Sequence, residues 1–115
     1  DIGDNTGTGA GWSITLSNTP FQSGANSLAN SAFTAATPAQ PTCDTGATCS
    51  QAVWSGKVGY PYILPGSTAT ELLSDSTNTG MGDQTVTINW SANIPSSSLA
   101  GTYQSTWTLT LVSGP

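Results

Sequence analysis

Between Tyr103 and Leu111 the chain alternates with a period of two. Tyr103, Ser105, Trp107, Leu109 and Leu111 fall on one side, and Gln104, Thr106, Thr108 and Thr110 on the other. Large apolar groups opposite threonine are the pattern of a β-strand with one buried and one wet face. The same period returns at Trp12, Ile14 and Leu16 and again at Val86, Ile88 and Trp90. No segment carries a sustained 3.6-residue period; only 70–73 and 96–100 have room for a helical turn. Short strands separated by turn-forming residues predict an all-β, antiparallel β-sandwich, Ig-like, with long loops. A further short strand is expected around Leu28–Phe33; Ala52–Val58 and Tyr60–Leu64 are two short apolar stretches around Gly59, and Glu71–Leu73 is one more short element. At 115 residues the chain reads as one domain spanning 1–115, long enough for a modest core.

Only 6% of the residues are charged, against about a quarter in ordinary soluble domains. Lys57 is the single cation, Glu71 the single glutamate, and there is no histidine. Hydroxyls and amides must therefore keep the surface wet, as suits an extracellular β-protein. A net charge of −5 without a basic stripe excludes a nucleic-acid partner. No apolar run approaches the roughly 20 residues of a membrane-spanning helix, so membrane insertion is not expected. Cys43 and Cys49 enclose the short loop Asp44-Thr-Gly-Ala-Thr48 and read as a local disulfide, which places the protein in an oxidising, exported compartment.

Few residues offer chemistry. Asp44-Thr45-Gly46-Ala47 matches the active-site tetrapeptide of aspartic proteases, but a dyad needs an apolar strand delivering the aspartate into a buried site. Here the aspartate follows Pro41-Thr42-Cys43, so the tetrapeptide reads as a turn. Asp75, Asn78 and Asp83, or Asp1, Asp4 and Asn5, offer oxygen ligands without the spacing of a known calcium loop, so no cofactor or metal is expected. Lys57 invites an isopeptide bond, but nothing in the sequence supplies a partner, and it reads as a solvated charge. With no histidine and no nucleophile–base pair, the chain is not expected to be an enzyme. Trp12, Trp90 and Trp107 share strand faces with aliphatic residues and read as core. Trp54, near Tyr60 and Tyr62 in a poorly alternating segment, is the candidate contact patch.

The ends of the chain carry a family resemblance. Gly7-Thr-Gly9-Ala-Gly11-Trp12, and Gly101-Thr-Tyr103 leading into Trp107-Thr-Leu109, resemble the WxL domain of bacterial cell-surface proteins. The first motif departs from the pattern by carrying Ile14 in its third position. The resemblance implies that Gly9, Gly11, Trp12, Tyr103, Trp107 and Leu109 are motif residues, and that leading strands of the full domain are lacking. It also implies non-covalent attachment to the cell envelope, through peptidoglycan or a partner surface protein, without catalysis. Two alternatives stand beside it. One is a structural subunit of an extracellular filament, self-associating into fibres by β-strand complementation. The other is a carbohydrate-binding module using Trp54, Tyr60 and Tyr62.

Overall fold

A computed structural model describes residues 1–53 and 58–114. The described chain is all-β and antiparallel, with a single 3-10 turn at Asn30–Ala32. In chain order the strands are β1 (Ile2–Asp4), β2 (Trp12–Asn18), β3 (Phe21–Ser23), β4 (Asn26–Leu28), β5 (Phe33–Ala35), β6 (Thr42–Cys43), β7 (Tyr62–Ile63), β8 (Thr70–Ser74), β9 (Gly82–Thr85), β10 (Trp90–Ala92) and β11 (Trp107–Ser113). They form open sheets ordered β1-β9-β6, β10-β5-β7 and β11-β2-β8, plus the hairpin β3-β4.

The alternating segments become the backbone of this arrangement. β2, at the centre of its sheet, buries Trp12 and Leu16, and β8 adds Leu72 and Leu73 across a β-bulge between Ile14 and Thr15. The bulge lets two successive leucines both reach the interior, which strict alternation forbids. The β10-β5-β7 sheet supplies Ala35 and Tyr62 to the same core, and Ile2 of β1 closes one end. Aromatic rings join the sheets: Trp107 of β11 meets Trp90 of β10 at 4.8 Å between centroids, and Phe21 stacks on Phe33 at 4.0 Å. Cys43 and Cys49 are joined in a disulfide that pins the 44–48 loop beside β6. Gln84, fully buried, accepts from the Ala52 amide at 3.0 Å and fixes the incoming 50–52 segment.

Several expectations needed correction. The expected strand at Leu28–Phe33 is split by the 3-10 turn, and the turn lies there instead of at 70–73 or 96–100. Residues 84–90 do not form one strand: β9 and β10 belong to different sheets. Val86, Ile88 and Trp90 are nonetheless all half-buried against the core, so the alternation survives the change of sheet. The glycine-rich N-terminus holds β1, paired to β9 from Ile2–Gln84 to Asp4–Gly82.

Candidate functional site

The two motif strands lie side by side. β2 and β11 pair antiparallel over their whole length, from Trp107 opposite Asn18 to Ser113 opposite Trp12. Segments distant in sequence thus form one ribbon. The turn feeding β2 is locked from below. The Gly9 carbonyl accepts from the Asn78 amide at 2.8 Å, and the Trp12 Nε1–H donates to the Gly80 carbonyl at 3.0 Å. Gly80 sits at φ 70°, and a Cβ there would overlap Asp75 Oδ2 and crowd the Trp12 indole. Asp75 is fully buried, and its Oδ1 accepts from the Val53 amide and from Thr79 Oγ1, each at 2.7 Å. Gly9, Gly11 and Trp12 therefore build a structural knot around a buried carboxylate. Asp75, weighed above as a calcium ligand, is engaged in that knot. Nothing in its sequence neighbourhood marks it as buried.

β11 presents the exposed part of the ribbon. The Thr19 amide donates to the Thr106 carbonyl, and the Gly114 amide to the Gly11 carbonyl, both at 2.9 Å. Hydrogen-bonded and non-hydrogen-bonded pairs alternate along an antiparallel ladder. Thr108, Thr110 and Val112 consequently turn their main-chain groups toward β2. Trp107, Leu109, Leu111 and Ser113 turn theirs outward, where no strand pairs with them among the described residues. The opposite edge of the sheet, β8, meets tyrosine side chains instead of a strand. Tyr60 donates its hydroxyl to the Leu72 carbonyl of β8 at 2.7 Å, and Tyr62 to Thr70 at 3.3 Å. Among the described residues neither outer strand of this sheet pairs with a further strand.

The faces of β11 differ from the expected pattern. Leu109 stands opposite Leu16 and Leu111 opposite Ile14, so both lie on the core side of the sheet. Yet Leu16 is 0% exposed while Leu109 is 59% and Leu111 51% exposed. The facing layer reaches β11 only at Trp107, which packs on Phe21 and Trp90. Beyond that residue Leu109 is left more than half exposed, and at the far end Gly3, Asp4 and Thr6 line a small cavity of 180 Å³ together with Trp12 and Leu111. Val112 is also exposed, on the outer face. The strip from Leu109 to Ser113 contains no ionisable residue.

The other sequence candidates fall elsewhere. Tyr103 precedes β11 rather than lying in it; its hydroxyl donates to the Leu99 carbonyl at 3.0 Å, beside a groove of 420 Å³ lined by Phe21, Leu28, Ile94 and Leu99. Tyr60 and Tyr62 come together, with ring centroids 6.3 Å apart. Tyr62 is buried, however, and both hydroxyls are used on β8, so this pair offers little ring face for stacking on a sugar. Burial pushes the Tyr60 phenol up to about 12, with Tyr62 beside it adding to the rise, and burial raises Tyr62 as well. Trp54 and Lys57 lie outside the described residues. Asp44 accepts from Thr85 Oγ1 at 2.7 Å, and its carbonyl accepts from the Ala47 amide at 2.9 Å, as a turn aspartate does. Among the described residues no group of three or more His, Cys, Asp or Glu side chains is placed to hold a metal ion, and no helix is long and apolar enough to cross a membrane. Comparison with known family models, with curated proteins and with solved structures finds no match.

Proposed function

We propose that this chain is a non-catalytic extracellular module that attaches a protein or assembly to the bacterial cell envelope. Its target is peptidoglycan or a partner surface protein, the class suggested by the WxL-like motifs around Trp12 and Trp107. The supporting observation is the β11 ribbon, which leaves Leu109 and Leu111 each more than half exposed on the core side of the sheet, directly beside the buried part of the same face. Apolar groups in that position lose water when another surface covers them, at about 25 cal/mol per Å². The disulfide suits an exported protein. The experiment is co-sedimentation with purified cell wall. Wild type pellets with the wall, and the double variant Leu109→Asn/Leu111→Asn stays in solution while keeping its circular dichroism spectrum. Recovery of wild type in the supernatant refutes the proposal.

A second reading is favoured by the bare edge of β11. A subunit of an extracellular filament can be completed by a strand from its neighbour. Fibres in electron micrographs of the concentrated protein would support it over attachment.

A further inference from the structure

We infer that the groove around Tyr103 is a binding site for an uncharged saccharide carrying an N-acetyl group. The site goes beyond the attachment reading, since neither Leu109 nor Leu111 lines it.

Three hollows meet at one ring. They measure about 640, 420 and 360 Å³, and Tyr103 lines all of them. Small-molecule sites typically span about 300–1,000 Å³. The β3–β4 hairpin forms one wall and the 94–101 segment the other. Gly101 lets the walls close, because a Cβ there would collide with Ser23 Oγ of β3. The floor is held from several sides. Phe21 stacks on Phe33 at 4.0 Å and meets Trp107 edge-on at 6.2 Å. The Tyr103 hydroxyl donates to the Leu99 carbonyl at 3.0 Å, so the groove offers a ligand the ring and not the hydroxyl.

The lining selects the ligand. Gln22 and Gln104, both in the largest hollow, form an isolated antiparallel bridge in which each amide donates to the other's carbonyl at 3.0 Å. In such a pair the side chains leave the backbone on the same side, with Cα atoms about 5.5 Å apart. Both glutamines are exposed, and neither carboxamide has a hydrogen-bond partner among the described residues. Two neighbouring carboxamides, each a donor and an acceptor, match the vicinal hydroxyls of a sugar ring. An aromatic ring beside them suits the apolar face of the same sugar.

The far end of the groove is apolar. Leu28, Ile94 and Leu99 line it, and the last two are 50% and 63% exposed. A hexose bearing only hydroxyls leaves these side chains unmatched, whereas the methyl of an N-acetyl group covers them. Charge removes the rivals. Among the described residues no carboxylate or ammonium lines the groove, so a charged ligand loses water there without gaining a counter-charge. The net charge of −5 further disfavours phosphates and acidic glycans.

Titration calorimetry with chitotetraose, a chain of N-acetylglucosamine units, tests the site. Wild type should bind saturably with a Kd on the order of 0.1 mM, and maltotetraose, which lacks the acetamide, should bind about tenfold more weakly. Tyr103→Ala should lose about tenfold in affinity, while Tyr103→Phe, which keeps the ring, should retain it. Gln22→Leu/Gln104→Leu should also lose about tenfold with its circular dichroism spectrum unchanged, which keeps the test open if Tyr103→Ala does not fold. Leu109→Asn/Leu111→Asn should leave the titration as in wild type. Three results overturn the inference: no saturable heat with chitotetraose, equal affinity for maltotetraose, or wild-type affinity in the glutamine double variant. A protein that pellets with cell wall but ignores chitotetraose leaves attachment standing and removes the groove. One that binds chitotetraose and stays in the supernatant does the reverse.

Discussion

Leu16 and Leu109 face each other across the β2–β11 ladder, yet truncating them should have very different consequences. Leu16 is fully buried at the centre of the core, whereas Leu109 is 59% exposed. Removing a fully buried leucine loses its transfer free energy and leaves a cavity, about 3 kcal/mol for Leu16→Ala. Full burial of a leucine contributes about 2 kcal/mol, and Leu109 achieves less than half of it, so Leu109→Ala should cost about 1 kcal/mol in the monomer. For a domain of this size 1 kcal/mol corresponds to about 4 °C in Tm. Thermal unfolding followed by circular dichroism, in protein dilute enough to be monomeric, should show losses of about 12 °C for Leu16→Ala and about 4 °C for Leu109→Ala. Equal losses would mean that β11 is covered on its inner face in solution. The reading of Leu109 as a contact residue would then fail with it.

Three further outcomes follow from the same geometry. The Cys43–Cys49 bridge closes a loop with a sequence separation of 6, so its loss in Cys43→Ser/Cys49→Ser should cost about 2 kcal/mol, seen as a lower urea midpoint. An unchanged midpoint would show that the loop does not contribute to the folded state. Gly80→Ala forces a side chain into a left-handed position against Asp75 and Trp12, and should cost at least about 2 kcal/mol and alter the near-ultraviolet tryptophan signal; a variant with wild-type stability contradicts the knot. Alkaline unfolding should follow Tyr60, whose folded value is raised from 10.0 to about 12. The neutral phenol is favoured in the fold, so its stabilisation is complete below pH 10.0 and is lost as pH rises toward about 12. Tyrosinate absorbance should lag in the native protein, and Tyr60→Phe should remove part of that lag.

Much of the fold was legible because one face of each main strand is apolar. Trp12, Ile14 and Leu16 mark β2, and Trp107, Leu109 and Leu111 mark β11, well enough to anticipate that both belong to one β-structure. The cysteine pair was legible from its spacing. The short strands β1, β3 and β6 were not, because each is two or three residues long and held by pairing with a distant segment rather than by its own pattern. Asp75 and Gln84 were equally hidden. A buried polar side chain is stable only when distant donors and acceptors meet it, and those partners, Val53 and Thr79 or Ala52, carry no local signature.

The candidate site was half legible, and the missing half has a physical reason. Periodicity determines which side of a strand a residue takes; it carries no information about what covers that side. Val86, Ile88 and Trp90 alternate as Trp107, Leu109 and Leu111 do, and the first set is packed against the core although only Trp90 lies in a strand. Leu109 and Leu111 sit in a seven-residue strand with full pairing to β2, and each is more than half exposed. The difference lies in the facing layer: the aromatic cluster of Phe21, Trp90 and Trp107 meets the first residue of β11, and at the far end the Gly3–Thr6 segment borders Leu111 across a cavity without burying it. A sequence that keeps leucine on a face its own fold leaves bare retains a cost in water that an ordinary edge strand avoids with lysine or threonine. That cost is relieved when a second surface covers the strip, so the proposed attachment rests on the exposed leucines of β11 more directly than on the motif that first draws attention to them.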